Sequence, residues 1–323
     1  MKRILVVGAG GQIGTELVPY LQSIYGKDSV IAADLKDDLA EKLGRGSITE
    51  KLDATDEAKY SDIVKRYNID TIYNLVALLS ARGEQMPEVA WNLNITALTN
   101  ALAIAKRRNC AIFTPSSIGA FGPETPHDET PQDTVMRPKT IYGVCKVTGE
   151  LLGDYYFSRF GVDARSVRFP GIISNGCHPG GGTTDYAVEV FYEILKPGHH
   201  YTCEIPEDSY MDMMYMPDAL RAAVEVMEAD PSKLVHRNSF NIASMSFCPR
   251  ELFAAIKKRI PDATFDYKVD PVKAAIADSW PNKMDDTCAR TEWGWKPEWD
   301  LDRMVDDMLS VISSRQGYLI SEK

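Results

Sequence analysis

The sequence lacks the features of membrane-bound and disulfide-stapled proteins. Its first apolar run, Ile4 to Val7, is far too short to cross a membrane, and no signal peptide is visible. The cysteines include no CxxC pair and have no histidine at ligand spacing, so no metal site is indicated. They are Cys110, Cys145, Cys177, Cys203, Cys248 and Cys288. We therefore expect a cytoplasmic protein with reduced thiols.

Positive charge is also scarce. The 46 acidic and 36 basic residues give a net charge of −10, which argues against nucleic acid or an anionic membrane as a partner. The 323 residues, 44% of them hydrophobic, are enough to bury one large core or two, and neither repeats nor low-complexity tracts occur. The expected partner is a small molecule.

The first half alternates short β-branched runs with helical stretches. Strands are predicted near 3–8, 29–34, 71–76, 110–115 and 164–169. Helices long enough to cross back over a sheet are predicted near 12–24, 56–67, 87–107 and 140–160. This pattern predicts an α/β fold, a Rossmann-like doubly wound parallel sheet, over residues 1–170.

Beyond Pro170 the pattern becomes irregular. Helices are predicted near 183–195, 217–229 and 249–258, and strands near 238–243 and 263–269. We expect residues 171–323 to form mainly a smaller substrate-binding lobe, with some segments returning to the sheet. The methionines at 211–216 are expected to pack inside this lobe.

A glycine-rich loop follows the first predicted strand and opens a helix. Gly8 can make the tight turn, Gly11 lets a pyrophosphate approach the backbone, and Gly14 allows close helix–strand packing. The positive end of the helix favours phosphate at this point. The loop therefore predicts a dinucleotide site.

Two carboxylates lie where the adenosine half of a dinucleotide would reach. Asp34 ends the second strand, 20 residues after Gly14, and can accept both ribose hydroxyls or merely cap a turn. Asp53 can accept from the adenine amino group or act as a cap, while Asp56 is expected to cap the next helix. A carboxylate at position 34 repels a 2′-phosphate, which favours NAD over NADP.

A Tyr-x-x-x-Lys pair begins the predicted helix at 140–160. Tyr142 and Lys146 are four residues apart and share one helix face. A free phenol loses its proton only near pH 10, but a neighbouring ammonium favours the phenolate. The pair can therefore serve as a proton acceptor and the group that tunes it.

Two serines follow the predicted strand at 110–115. This position is the carboxyl end of the sheet, where ligands of such folds bind. Ser117 can hydrogen-bond the substrate oxygen whose proton Tyr142 removes, and Ser116 is the alternative for this role.

These three elements, in this order, resemble the extended short-chain dehydrogenase/reductase family, the NAD-dependent epimerase/dehydratase-like enzymes. The resemblance implies NAD as cofactor and adds Asn94 to the catalytic set, as a residue that kinks a helix and relays protons to lysine. It also implies further cofactor contacts in the loop and after later strands, at Gln12, Ile13, Leu75, Ala77 and Pro170.

Finer features are similar to the branch of that family that oxidises L-threonine. The segments that carry this similarity include Asn74–Ser80, Thr114–Pro123, Val167–Gly171, Gly180–Ala187, Met214–Asp218, Ser279–Pro281 and Trp293–Trp295. The similarity implies conversion of the β-hydroxyl to a ketone, giving 2-amino-3-oxobutanoate. It implies substrate contacts from Ser80, Thr183 and Thr184 beside the serines and Tyr142, and Trp280 is either a lid or core.

Two other functions remain open at this point. A nucleotide-sugar epimerase or dehydratase would need cations for a diphosphate, yet Lys196 is the only lysine or arginine in residues 171–205. A non-catalytic NAD sensor would not need Tyr142, Lys146 and Ser117 together. The resemblance also implies a homodimer in which the helices at 87–107 and 140–160 pair across a two-fold axis.

Overall fold

The computed structural model describes residues 1–44, 46–176, 178 and 182–316. Cys177 and the first residues of the Gly180–Ala187 segment lie outside the described residues.

The first half alternates strands with helices, in the predicted order. Its strands are β1 (Ile4–Val7), β2 (Val30–Asp34), β3 (Ile48–Lys51), β4 (Thr71–Asn74), β5 (Ala111–Phe113), β6 (Ser116–Ser117), β7 (Ala164–Arg165) and β8 (Val167–Phe169). Its helices are α1 (Gln12–Tyr25), α2 (Leu39–Leu43), α3 (Glu57–Arg66), α4 (Ser80–Gln85), α5 (Pro87–Arg108) and α6 (Ile141–Phe160). Short 3₁₀ turns occupy Lys27–Ser29 and Ile118–Ala120.

Six of these strands form one parallel sheet in the order β3-β2-β1-β4-β5-β7. The chain order reverses direction between β1 and β4, which is the switch point where such sheets bind ligands. This arrangement confirms the predicted Rossmann-like fold.

Both faces of the sheet are covered, and β1 shows how. Ile4 and Val6 belong to one buried cluster with residues of α1, whereas Leu5 and Val7 belong to another with residues of α3 and α5. Successive strand residues point to opposite faces, so a fully apolar strand is what a doubly covered sheet needs.

The second half builds two small sheets and adds one strand to a third sheet that it shares with the first half. Its strands are β9 (Gly171–Ile173), β10 (His200–Cys203), β11 (Met211–Tyr215), β12 (Phe240–Asn241), β13 (Met245–Phe247) and β14 (Thr264–Tyr267). The two small sheets are β10-β14 and β13-β11-β9. A 3₁₀ turn at Thr183–Asp185 precedes its helices, which are α7 (Tyr186–Ile194), α8 (Met216–Glu228), α9 (Pro249–Lys257), α10 (Pro271–Ala277), α11 (Thr287–Trp293) and α12 (Leu301–Gln316). Met211, Met213, Met214 and Met216 are buried, which confirms their packing role.

Two segments of the second half return to the first. Strand β12 pairs with β8 in the sheet β12-β8-β6, and residues of α8 share a buried cluster with Ile4, Val6 and residues of α1. The lobe is therefore tied to the first half by both a strand and a helix.

Two differences between the predicted and the observed strands concern the large parallel sheet. The sequence at β3 gave no prediction because its Thr-Glu-Lys residues are polar, and the strand lies at the edge of the sheet, where such residues are common. The strand predicted at 164–169 is divided, with β7 pairing to β5 and β8 to β6. Ser166 lies at the division, and its hydroxyl accepts a hydrogen bond from the N–H of Ser116 at 3.1 Å.

None of the helices in the described part of the chain has both the length and the apolar character needed to cross a membrane.

Candidate active site

The glycine loop between β1 and α1 is shaped for close contacts. Gly8 has a φ of +83°, and a Cβ there would lie 3.1 Å from the backbone of Leu75 and Val76. A Cβ at Gly14 would lie 2.4 Å from the carbonyl oxygen of Gly8. Only glycine fits these two positions, so loop, helix and β4 pack against one another directly.

Helix α1 leaves its N-terminus available. Gly11 precedes the helix, no side chain caps it, and its first turn holds no acidic residue. The unsatisfied N–H groups and the helix dipole favour an anion here, so the loop fits the pyrophosphate of a dinucleotide.

A cavity of about 520 Å³ opens beside this loop. Its walls include Gly8, Gly11, Asp34, Asp53, Leu75 and Ala77, all predicted to contact the cofactor. The Asp34 carboxylate accepts hydrogen bonds from the N–H of Gly10 at 2.8 Å and of Lys36 at 3.0 Å. These bonds hold the carboxylate at the cavity wall, at the carboxyl end of β2.

The two aspartates after β3 differ in their surroundings. Asp56 caps α3 as predicted, accepting from the N–H of Lys59 at 3.0 Å. Asp53 accepts from the hydroxyl and N–H of Thr55 at 2.7 and 2.9 Å, which lowers the pKa of its carboxyl. Asp53 therefore makes a local turn and also lines the cavity. Its role in the turn does not prevent it from accepting a hydrogen bond from a ligand in the cavity.

A second cavity of about 150 Å³ adjoins the first, and the two share Leu75 and Ala77 in their walls. It brings together residues predicted for catalysis and for substrate and cofactor binding, from both halves of the chain. They are Gln12, Ile13, Ser80, Ser116, Ser117, Tyr142, Lys146, Pro170, Thr183, Thr184 and Trp280. The groove therefore runs from Asp34 at one end to Tyr142 at the other.

Helix α6 places Tyr142 and Lys146 in this cavity. Thr140 caps the helix by accepting from the N–H of Gly143 at 3.1 Å. The Nζ atom of Lys146 lies 5.2 Å from the centroid of the Tyr142 ring and donates to the carbonyl of Pro115 at 2.7 Å. The ammonium is thus fixed near the phenol by the backbone that follows β5.

Ser117 lies beside the same phenol. A Cβ on Gly119 would be 3.2 Å from Cε1 of Tyr142 and 3.5 Å from Oγ of Ser117, so both side chains flank this glycine. The Ser117 oxygen accepts from the N–H of Gly119 at 3.1 Å, and its hydroxyl hydrogen is available to another partner.

Ser116 is oriented differently. Ser116 is buried, and its hydroxyl donates to the Glu150 carboxylate, which in turn pairs with Arg168 at 2.8 Å. Neighbouring strand residues point to opposite sides, and β6 sends Ser116 toward this buried ion pair. The hydroxyl of Ser116, the predicted alternative to Ser117, is therefore hydrogen-bonded inside the core.

Asn94 is buried in α5 and bonds to the loop that follows β4. Its side chain accepts from the N–H of Leu78 at 2.7 Å and donates to the carbonyl of Leu78 at 3.2 Å. Helix α5 is continuous from Pro87 to Arg108, so the helix does not end at Asn94. The hydrogen bonds of Asn94 support the cavity wall rather than reaching Lys146 directly.

The predicted substrate residues line the second cavity, whose walls do not include the loop glycines Gly8 and Gly11. Ser80 begins α4, and Thr183 begins the 3₁₀ turn at Thr183–Asp185. The hydroxyl of Thr183 is buried and has no hydrogen-bond partner among the described residues. Trp280 is 7% exposed and belongs to the core of the lobe, so it forms a buried wall of the cavity.

Sequence reasoning missed several wall residues. Those in the second cavity include Leu79, Pro115, Ile118 and Asp185, and those in the first include Leu35 and Arg82. Most of these residues come shortly after the carboxyl end of a strand, the same kind of position from which Asp34 and Ser117 were predicted. Arg82 had no such signal because it comes from the short helix α4.

Comparison with known proteins agrees with this geometry. A curated relative from Staphylococcus haemolyticus, described as an uncharacterized epimerase/dehydratase, is 50% identical over 98% of this chain and 99% of its own. The L-threonine dehydrogenase structure from Clostridium difficile is 53% identical, covers 98% of both chains and has a TM-score of 0.95. A monomeric L-threonine 3-dehydrogenase from a metagenome is 43% identical over 97% of this chain and 99% of its own, with a TM-score of 0.91.

Residues 4–243 match the model of one protein family, which its description calls NAD dependent. The match spans the glycine loop, the carboxylates after β2 and β3, and the Tyr142–Lys146 pair, all of which line the groove. The chain belongs to the NAD dependent epimerase/dehydratase family, and its cofactor is NAD.

Proposed function

We propose that this protein is an L-threonine 3-dehydrogenase that oxidises the β-hydroxyl of L-threonine to the ketone of 2-amino-3-oxobutanoate. The observation that carries the proposal is the convergence of Ser117, Tyr142 and the unpartnered hydroxyl of Thr183 on one cavity of about 150 Å³. Cofactor-binding residues share the walls of this cavity, so the space left for the substrate is small, as suits an amino acid. The similarity to L-threonine dehydrogenase structures supports it.

NAD, when bound, supplies the hydride acceptor for this oxidation. In our proposal the cofactor is held by Gly8, Gly11, Gln12, Ile13, Gly14, Asp34, Asp53, Leu75, Ala77, Tyr142, Lys146 and Pro170, all of which except Gly14 line the groove. Gly14 acts through the close packing of α1 on the loop. Residues 1–170 thus hold the cofactor, and residues 171–323 mainly shape the substrate end.

Tyr142 acts as the base. Its phenolate accepts the proton of the β-hydroxyl, and the nearby Lys146 ammonium favours the phenolate. Ser117 donates to the same substrate oxygen and holds the carbinol carbon in place. Asn94 fixes the Leu78 backbone at the cavity wall and completes the catalytic set as a positioning residue.

The substrate carboxylate and ammonium need polar partners rather than a long groove. Thr183 can donate to the carboxylate because its hydroxyl is not used by the described residues. Ser80 and Thr184 line the same end, and Trp280 closes it with an apolar wall. Ser116 plays no direct part in our proposal, since its hydroxyl is bonded to Glu150.

The alternative activity is epimerisation or dehydration of a nucleotide sugar. A diphosphate group needs arginine or lysine partners, but Lys146 is the only such side chain among the described residues that line this cavity. That lysine is already bonded to Pro115. The cavity therefore favours the small zwitterion.

The test is NADH formation by the purified protein with NAD and a substrate panel. The panel contains L-threonine, D-threonine, L-serine, UDP-galactose and UDP-glucose. We expect NADH with L-threonine and far less with the other compounds. Conversion of a UDP-sugar without net NADH, together with silence toward L-threonine, would replace the proposal with the epimerase activity.

We also propose a homodimer in which α5 and α6 pair with the same helices of a second copy. Helix α6 exposes Val144, Leu151 and Tyr155, which share one face, and α5 exposes Val89 and Trp91. Light scattering on the wild type and on Leu151→Lys tests this, because a buried charge would dissociate the dimer. A wild-type monomer, like the metagenome neighbour, would contradict it.

We propose a cytoplasmic location. It is supported by the described cysteines, Cys110, Cys145, Cys203, Cys248 and Cys288, which are all free, as is usual in a reducing compartment.

A further inference from the structure

A second cluster of reactive side chains lies away from the groove. His236 is in the segment between α8 and β12, and Cys288 and Glu292 are one turn apart on α11. One donor atom from each of the three lies within 4.8 Å of the others. None of these residues lines the cofactor or substrate cavity.

Glu292 fixes the orientation of the histidine ring. One carboxylate oxygen pairs with Nδ1 of His236, and the other accepts from the N–H groups of Val235 at 2.6 Å and His236 at 3.0 Å. A carboxylate can only accept hydrogen bonds, so Nδ1 carries the hydrogen. In the neutral ring this leaves the lone pair on Nε2.

The Nε2 atom faces groups that bind metals. The sulfur of Cys288 lies 4.0 Å from it, and a carboxylate oxygen of Asp133 lies 3.5 Å from it. Zinc bonds of about 2.0–2.3 Å in a tetrahedron place an imidazole nitrogen and a thiolate sulfur about 3.5 Å apart. A small movement of side chains would therefore accommodate the ion.

Accessibility and local charge agree with a cation at this place. Cys288 is partly exposed, whereas the other described cysteines are buried. The Asp133 side chain is 88% exposed, so it can turn toward the sulfur without disturbing the core. Metal-binding histidines usually donate a hydrogen bond to a carboxylate from the ring nitrogen that does not bind the metal. In His236 this nitrogen is Nδ1, which pairs with Glu292.

We propose that His236, Cys288 and Asp133 bind a zinc-class divalent cation, with Glu292 orienting His236 from behind. Imidazole, thiolate and carboxylate together favour zinc, and water would take the fourth position. Binding releases the thiol proton of Cys288 to solvent. Through Asp133 the ion would join the first half of the chain to the segment leading into β12 and to helix α11, both in the second half, and so stabilise the contact between the two halves.

Cobalt(II) is the probe, because a cobalt–thiolate bond gives a charge-transfer absorption band. Chelator-treated wild-type protein is titrated with Co²⁺, and zinc is then added as a competitor. We expect the band to saturate at one Co²⁺ per chain and to disappear when zinc replaces it. Thermal denaturation with and without Zn²⁺ gives a second measurement that does not depend on cobalt.

Three variants make the test specific. Cys288→Ser is expected to lose the band and the stabilisation by zinc, and Glu292→Gln to weaken zinc binding about 10–100-fold. Cys110→Ser is the matched control, because Cys110 is buried and bonded to the Ile69 carbonyl at 3.1 Å, away from the cluster. No band in the wild type, or an equal band and equal thermal shift in Cys288→Ser, would overturn the proposal.

Discussion

Replacing Thr183 with valine is expected to stabilise the protein and weaken its substrate binding at the same time. The Thr183 hydroxyl is buried without a partner among the described residues, so folding removes it from water without compensation. An unsatisfied buried group of this kind costs about 1–3 kcal/mol. Valine has nearly the same shape and no hydroxyl, so the variant should regain part of this free energy of unfolding.

The same substitution is expected to weaken the binding of the substrate L-threonine. A hydrogen bond to a charged carboxylate contributes about 1.5–3 kcal/mol, so its loss should lower kcat/KM for L-threonine about 10–150-fold. Most of the change should appear in KM, since the carboxylate is bound equally in the ground state and the transition state. The KM for NAD should change little, because Thr183 belongs to the substrate end of the groove.

The assay pairs NADH formation at varied L-threonine with thermal denaturation. For a chain of this length the gain in stability corresponds to a rise in Tm of about 1–4 °C. Thr183→Ser keeps the hydroxyl and should retain most of the activity. Thr114→Val is the matched control, since the Thr114 hydroxyl is also buried without a partner in the described part of the chain but does not line the substrate cavity.

Two results would refute this reasoning. A Thr183→Val enzyme with normal kcat/KM for L-threonine would mean that the hydroxyl does not contact the substrate. A lower Tm in that variant would mean that the hydroxyl has a structural partner in the folded protein.

Three further predictions follow from the same structure. Tyr142→Phe should lower kcat by about 10²–10⁴-fold while NAD binding persists, as measured by turnover and by NAD titration; turnover near the wild-type rate would contradict the assigned base. Asp34→Asn should lower the kcat/KM preference for NAD over NADP by about tenfold, because a 2′-phosphate would no longer face a full charge. Burial raises the pKa of Asp212 well above its usual range, so stability should fall as the pH rises from about 4 through the folded-state pKa. Asp212→Asn should flatten that slope in thermal denaturation at several pH values, and an unchanged slope would assign it to other groups.

Local sequence patterns predicted the cofactor half because its determinants are short-range. The glycine loop depends on Gly8, Gly11 and Gly14, which lie within seven residues of the chain. Gly8 and Gly14 are required because a Cβ at either position would lie too close to neighbouring backbone atoms. The Tyr142–Lys146 pair depends on one helix face. The glycine loop and the Tyr142–Lys146 pair can therefore be recognised without knowing how the rest of the chain folds.

Features that depend on distant partners were not predictable in the same way. Ser116 and Ser117 are adjacent residues of the same type, so the sequence cannot tell which hydroxyl faces the substrate. In the structure the Ser116 hydroxyl is hydrogen-bonded to Glu150, which pairs with Arg168, and this leaves Ser117 for the substrate. His236 and Cys288 are 52 residues apart, so no ligand spacing indicated their contact. Asn94 was placed by resemblance, yet its bonding to Leu78 follows from the course of the loop after β4.

The position of Tyr142 depends on a contact that the Tyr-x-x-x-Lys pattern does not include. A Cβ on Gly143 would lie 2.2 Å from the carbonyl oxygen of Gly119, so the start of α6 rests directly on the turn that follows Ser117. Tyr142 precedes this glycine, and its ring packs against Gly119. Two glycines without chemical function therefore set the distance between the base and the serine. An active site of this kind requires close backbone packing as well as the reactive side chains, because a shift of 1 Å is enough to cost much of the rate.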